Sequence, residues 1–221
     1  MTSSHSEGPH NGGSPVCDHT SMRWANFGDS FWYADSLGTK AQNGYSTHCR
    51  QDYIGADYGL VDCSTGAPLP DFYTGILFAS LMGPSVLSTA VTTPGSSAIR
   101  AYAHCAVAGG SVAAGGVTVL LMNLHPTAVG NITLPPQFND LTSSRHRYTL
   151  QPSPTPSKML NATGLLGTGI VLNGKLLEVG SDGSLPEMGW VTEPSTAGVQ
   201  LPPHSITFLE FQGHVSAACT E

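Results

Sequence analysis

The sequence predicts an α+β protein in two parts: a helix–strand–helix segment over residues 1–86, then an antiparallel β-sandwich over residues 87–221. Three observations point there. Gly and Pro supply 26 and 16 of the 221 residues, well above the roughly 12% combined usage of an average domain, and without a fixed period this favours short strands joined by turns. The apolar spacing is helical only in the first part and strand-like in the second. The first part is too short to close on itself, since a parallel barrel takes about 250 residues, and so reads as the end of a larger unit.

Taken in order, Met22, Trp24, Phe27, Phe31, Trp32, Ala34 and Leu37 recur at helical spacing, which predicts a helix over Asp18 to Leu37 with Gly38 as its C-terminal cap. Thr47 to Ile54 and Gly59 to Asp62 read as extended. Ala67-Pro68-Leu69-Pro70 then breaks the chain, and Asp71 is placed to cap a second helix over Phe72 to Leu81. Strands are expected over Ser97 to Ala106, Gly116 to Leu124, Asn131 to Leu134, Arg147 to Gln151, Gly169 to Val171, Lys175 to Val179 and Ser205 to Phe211. Leu172-Asn173-Gly174-Lys175 is a two-residue hairpin signal, because Asn-Gly accepts the left-handed backbone such a turn requires. Tyr102, His104 and Trp190 fall in strand-like segments and are expected in the sandwich core or at its rim.

Charge narrows the function. With 8 Lys and Arg against 15 Asp and Glu the net charge is −7, which excludes a nucleic-acid binder relying on phosphate neutralisation. No apolar run approaches the roughly 20 residues of a membrane-spanning helix. The five cysteines contain no CxxC pair, and His5, His10, Cys17 and His19 lack ligand spacing, so no metal site is expected. Asn131-Ile132-Thr133 and Asn161-Ala162-Thr163 are glycosylation sequons. The first eight residues lack the basic start and apolar core of a signal peptide. A secretory-looking body without a secretory leader suggests a missing front end. Ser80, Ser85 and Ser205 lack the Gly-x-Ser-x-Gly elbow of a serine hydrolase. Arg50 is read as a structural anchor, and Asp71 as the cap already named.

Several stretches, in order, resemble the C-terminal part of the heparanase-like glycoside hydrolases, family 79, which cleave β-glucuronides. They are Ser30-Phe31-Trp32-Tyr33-Ala34-Asp35-Ser36-Leu37-Gly38, Cys49-Arg50-Gln51, and Gly55-Ala56-Asp57-Tyr58-Gly59-Leu60-Val61-Asp62. They continue through Pro70-Asp71-Phe72-Tyr73, Leu81-Met82-Gly83-Pro84-Ser85-Val86-Leu87 and Arg100-Ala101-Tyr102-Ala103-His104-Cys105. Leu172-Asn173-Gly174 and Pro202-Pro203-His204-Ser205-Ile206 complete the set. The resemblance implies that the first part is the terminal piece of a TIM (β/α)8 barrel, packed against the sandwich, with substrate in a cleft of the barrel.

The same resemblance assigns residues. The family's catalytic Glu precedes a Thr-Ser-Ser-like run and a Gly-rich loop; here Met1 precedes Thr2-Ser3-Ser4, and Asn11-Gly12-Gly13-Ser14-Pro15 resembles the loop. The family's acid/base lies in an Asn-Glu pair, which this sequence does not contain. Glu7 is the remaining candidate nucleophile, set against a plain reading as a solvated loop carboxylate. The chain is therefore expected to be a truncated form that lacks one or both catalytic Glu and is inactive alone. Gly12, Gly13 and Tyr58 match residues that hold the glucuronate carboxylate, and Gly allows the backbone N–H groups a close approach. Cys105 and Cys219 match family cysteines and are expected to bridge, while Cys17, Cys49 and Cys63 are left unassigned.

The implied partner is a glucuronide-containing carbohydrate or glycoside, and no cofactor is called for. With only 8 basic residues, a weakly charged glucuronide is favoured over a heavily sulfated one. The parent is expected outside the cell, in a wall or matrix, or in a lysosome or vacuole, with peripheral membrane association left open. The rival reading is a non-catalytic carbohydrate-binding or interaction module built on the sandwich.

Overall fold

The computed structural model describes residues 24–55, 58–92, 98–107, 112, 115–139, 143–156 and 161–220, and its first element is helix α1, Phe27–Gln42. The helix starts at Phe27 because Asn26, in an extended conformation, caps it and accepts the Asp29 amide at 3.3 Å. The expected start at Asp18 lies outside the described residues, and residues 24–26 are not helical. The expected end at Leu37 is also corrected. Gly38 lies inside α1, where an added Cβ would collide with the Tyr102 ring. Close packing against that ring, rather than a left-handed cap, accounts for glycine at this position.

The two segments expected to be extended form no regular strand. Ile54 makes one parallel bridge with Val61, and Val61 one antiparallel bridge with Pro68. Helix α2 runs Pro70–Leu81, with Pro70 in the first turn, where its missing N–H costs nothing, and Leu69 at the N-cap without a side-chain bond. Asp71 therefore does not cap the helix as expected.

The regular structure in the rest of the described chain is mostly β, with three short 3-10 turns at Pro136–Phe138, Gly164–Leu166 and Ala217–Cys219. The strands are β1 (Met82–Leu87), β2 (Ile99–Ala106), β3 (Val117–Asn123), β4 (Gly130–Ile132), β5 (Ser144–Pro152), β6 (Ile170–Leu172), β7 (Lys175–Leu176), β8 (Val191–Pro194), β9 (Val199–Leu201) and β10 (Ser205–Phe211). Eight of them form one sheet in the order β1-β2-β3-β10-β5-β6-β7, with β8 also pairing with β5, and all of its ladders are antiparallel. β4 and β9 form a separate two-stranded ladder. The β6–β7 hairpin turns on Asn173 and Gly174, at φ 51° and 82°, as its Asn-Gly signal requires. The sequence reading missed three strands. β1 carries Gly and Pro, β8 is an exposed strand that ends in Pro, and β9 is only three residues long.

Two apolar clusters lie on opposite faces of the large sheet. Phe27, Phe31 and Ala34 of α1 and Tyr73, Leu77 and Leu81 of α2 pack with Tyr102, Leu120, Met122, Tyr148, Leu150, Ile206 and Phe208. The alternate residues Ala103, Val119, Leu121, Leu209 and Phe211 pack on Val199 and Leu201 of β9. β3 and β10 are buried at all seven positions each, and they read as continuous rather than alternating runs because both their faces are covered. Arg145, fully buried on β5, ties this layer down: it donates to Glu193 at 2.7 Å and to the carbonyls of Ser195 and Ala197 at 3.2 and 2.7 Å. Cys105 and Cys219 are bonded across a separation of 114 residues, fastening the 217–219 turn to β2. In the chain-entropy model a loop of that size is worth about 4–5 kcal/mol. Among the described residues no helix is long and apolar enough to cross a membrane.

Gly38 offers a test in which two local effects oppose. Helix propensity alone favours Gly38→Ala by about 1 kcal/mol. The Tyr102 ring in the Cβ space imposes an overpacking cost of about 1–3 kcal/mol. Net destabilisation is the expected outcome, read from the urea unfolding midpoint of the two proteins.

Candidate functional site

Arg50 is the hub of the described part of the site. It follows α1 in the chain, and its side chain is 8% exposed. One guanidinium nitrogen, Nη2, donates to Asp29 Oδ2 at 2.8 Å, Asp71 Oδ2 at 2.7 Å and the Tyr58 carbonyl at 2.9 Å. The guanidinium carbon lies 5.1 Å from the Trp32 ring centroid and 5.3 Å from that of Tyr33, within cation–π range of both. Asp29 belongs to the first turn of α1 and Asp71 to that of α2, so both carboxylates sit where the helix dipole favours negative charge. Ser30 of α1 donates to Asp71 Oδ1 at 2.9 Å and links the helix ends directly.

The cluster holds one fixed positive charge and two buried carboxyl groups. Burial first, then the neighbouring Asp71, push Asp29 up to about 8, with Arg50 acting in the opposite direction. Asp71 is raised as well, by burial, while Arg50 and the hydrogen bonds from Asp29 and Ser30 hold it down. With its carboxyl raised to about 8, Asp29 holds a proton at neutral pH. Tyr33, beside them, is raised by burial and by the Asp71 charge. Such an arrangement clamps helix ends and a loop, but it leaves neither carboxyl open to attack a substrate.

Of the sequence-predicted site residues, Tyr58 is brought to this cluster. It is half-buried, in the loop between the bridged residues Ile54 and Val61, with its carbonyl held by Arg50. Glu7, Gly12 and Gly13 lie outside the described residues. Asn131 on β4 and Asn161 are both exposed. Cys49 is a free, exposed thiol, and Cys63 is disulfide-bonded. Sequence reasoning read Arg50 as a structural anchor, in keeping with the clamp it forms, and passed over Asp29. The available signal was scarcity: where only 10% of residues are charged, an Arg near aromatics and two helix-start Asp residues form a natural buried set.

With the geometry in place, comparison with known proteins supplies the class. The fold is shared with glycoside hydrolases. A family 51 α-L-arabinofuranosidase from Bifidobacterium longum superposes with a TM-score of 0.53 over 93% of this chain and 38% of its own, at 15% identity. No protein-family model matches the sequence. By sequence the chain is 32% identical to heparanase-like protein 3 of Arabidopsis thaliana over 86% of its length, and 32% identical to mouse heparanase over 94%. It is also 32% identical to the baicalin-β-D-glucuronidase of Scutellaria baicalensis over 85% of its length. Over most of its length, then, the chain is homologous to heparanase-like glycoside hydrolases. It spans 37%, 36% and 32% of the lengths of these three relatives.

The raised Asp29 gives a signed pH dependence. A carboxyl bound to its proton more tightly in the folded state adds stability that is fully present below its unfolded value of 3.8 and is lost as pH rises through about 8. Asp29→Asn keeps a donor toward Asp71 and an acceptor for Arg50 but cannot ionise. Melting temperatures measured from pH 5 to 9 are expected to fall less steeply for the variant, which becomes the more stable protein at the alkaline end. Parallel profiles for the two proteins would remove the shared proton from this picture.

Proposed function

We propose that this chain is the C-terminal part of a heparanase-like retaining β-glucuronidase, and that it supplies the substrate-binding end of the cleft rather than the reacting carboxyl groups. The similarity to heparanases and a β-D-glucuronidase over 85–94% of the chain carries this reading. In this reading α1, the Tyr58 loop and α2 are the last turn of the parent barrel, within residues 1–86, and residues 87–221 are its sandwich domain. Gly12, Gly13 and Tyr58 receive the glucuronate carboxylate, with Arg50 fixing the Tyr58 backbone from behind. A disulfide that closes so long a loop suits an oxidising compartment, outside the cell or in a lysosome or vacuole.

Retaining hydrolysis places two carboxyl groups about 5–5.5 Å apart, one as acid and one as nucleophile, on either side of the glycosidic bond. Asp29 and Asp71 are close together, but they are 8% and 3% exposed and share the Arg50 guanidinium. An acid must reach the leaving oxygen and a nucleophile the anomeric carbon, and these two groups face each other and Arg50 instead. The reacting pair is therefore assigned to residues outside the described cluster. The low content of Lys and Arg, 8 residues, favours a glucuronide with little sulfation.

The purified 221-residue chain is expected to bind methyl β-D-glucuronide in preference to the matching glucoside, and to leave an aryl β-glucuronide uncleaved. Tyr58→Phe should weaken the glucuronide by about tenfold, the worth of one hydrogen bond to a charged group. Calorimetry and a chromogenic assay read these outcomes. Turnover above the protein-free rate would place the reacting carboxyls within this chain, and equal affinity for both sugars would remove the glucuronide assignment.

A further inference from the structure

Away from the Arg50 cluster, the same face of the large sheet that carries the helices ends at an exposed indole. Trp190, just before β8, is 48% exposed, yet it is held from several sides. One ring face lies on His146 of β5, with centroids 4.5 Å apart and planes 20° from parallel. Tyr148 supports it at 6.1 Å and 57°. His146 is fixed in turn: Gln212 donates to its Nδ1 at 3.2 Å, and the buried Glu210 carboxylate, which accepts the Tyr148 hydroxyl at 3.1 Å, stands 3.8 Å from the same nitrogen.

The backbone leading into Trp190 is anchored as well. Asn173, in the left-handed position of the β6–β7 turn, donates to the Gly189 carbonyl at 3.1 Å and to the Arg147 carbonyl at 3.3 Å, and accepts the Thr149 amide at 2.9 Å. On the other side Val191 pairs with Arg147. The Asn-Gly motif thus does more than turn a hairpin: it sets the height of the tryptophan above the sheet. An indole placed there for core packing would be covered, because burial of its large apolar surface is its main contribution to stability. Here one face is packed on His146, and about half of the residue's surface, 48%, meets water.

We propose that Trp190 is a stacking platform for a β-linked pyranose chain, separate from the Tyr58 site. A pyranose whose substituents are equatorial presents a flat patch of axial C–H bonds, weakly positive and apolar, which matches the negative face of an indole. Its hydroxyl groups point outward from the ring edge, toward water and polar neighbours. The platform is already ordered by His146, Tyr148 and Asn173, so little side-chain freedom is lost when a sugar lands on it. In a protein of this family such a contact would hold a polysaccharide strand at a distance from the cleft.

The test uses the 221-residue chain and a neutral β-1,4-glucan hexasaccharide, with the α-1,4-linked hexasaccharide as control. In NMR titration the indole N–H resonance of Trp190, assigned by its loss in Trp190→Phe, is expected to shift saturably with the β-linked sugar only. Trp190→Ala should weaken binding by about tenfold and Trp190→Phe by about threefold, in line with the worth of one aromatic contact. Tyr58→Phe should leave it unchanged. No shift of the wild-type indole resonance, an equal response to the α-linked control, or undiminished affinity in a folded Trp190→Ala would overturn the proposal. Loss of binding in Tyr58→Phe would place the sugar at the other site. The methyl glucuronide titration reports on the Tyr58 site by itself, so the two readings fail independently.

Discussion

One guanidinium nitrogen joins the parts of this molecule that define its candidate site. Arg50 Nη2 is where the start of α1, the start of α2 and the carbonyl of Tyr58 meet. Arginine stays charged at any accessible pH, so burying it demands a compensating carboxylate close by. Two are present, one more than the charge requires, and the excess is absorbed by a proton on Asp29. The arrangement is costly to interrupt. Loss of Arg50 would take the counter-charge from two buried carboxyl groups, and loss of both Asp residues would strand Arg50, each a change of the several-kcal/mol kind that follows from an unpaired buried charge. The same contact ties the carbonyl of Tyr58, flanked by the isolated bridges of Ile54 and Val61, to the helix ends.

Behind the helices the sheet is built from strands that are apolar on both faces, and its few polar residues fall in register. Across the ladders His104 stands opposite Thr118, Thr118 opposite Glu210, and Glu210 opposite His146. This polar row crosses four strands on the face that the helices cover. His104 Nδ1 meets the Gly83 carbonyl at 2.6 Å, and burial holds the imidazole below its usual range. Among the described residues His104 Nε2 and Thr118 Oγ1 are buried without a hydrogen-bond partner, and buried polar atoms of that kind are sites for a bridging water. The row ends in His146, beneath the indole of Trp190.

Much of this was legible in the sequence, because period and turn chemistry are local. The β6–β7 hairpin follows from Asn173-Gly174, β10 coincides with the Ser205 to Phe211 run, and α2 starts two residues before its expected span, while α1 matches its own only over Phe27 to Leu37. What failed depended on contacts distant in sequence. Gly38 looked like a terminus until the ring of Tyr102, 64 residues on, was found in its Cβ space. Asp71 stood one position inside a helix whose cap is Leu69, and its carboxylate turns to Arg50 and Ser30 rather than to its own backbone. β8 has little apolar content because it is an edge strand held by Arg145, a buried cation no periodicity would place. Tyr58 was legible only through resemblance, and the charge cluster behind it was not.

The two aromatic residues that carry the functional readings share one construction. Tyr58 and Trp190 each lie in or beside a segment with few regular hydrogen bonds, and each is fixed by a polar side chain reaching it from another element. Arg50 holds the carbonyl of Tyr58 itself, while Asn173 holds the carbonyl of the residue before Trp190. Backbone anchoring orders the residue without burying its side chain fully, which lowers the ordering entropy to be lost on binding. A ring packed into the core is ordered at the cost of being inaccessible, and a ring on an unanchored loop is accessible at the cost of ordering entropy when a ligand arrives. Tying down the carbonyl avoids both, and for weakly held ligands such as single sugar rings, where each contact contributes little, that saving is comparable to the contact itself.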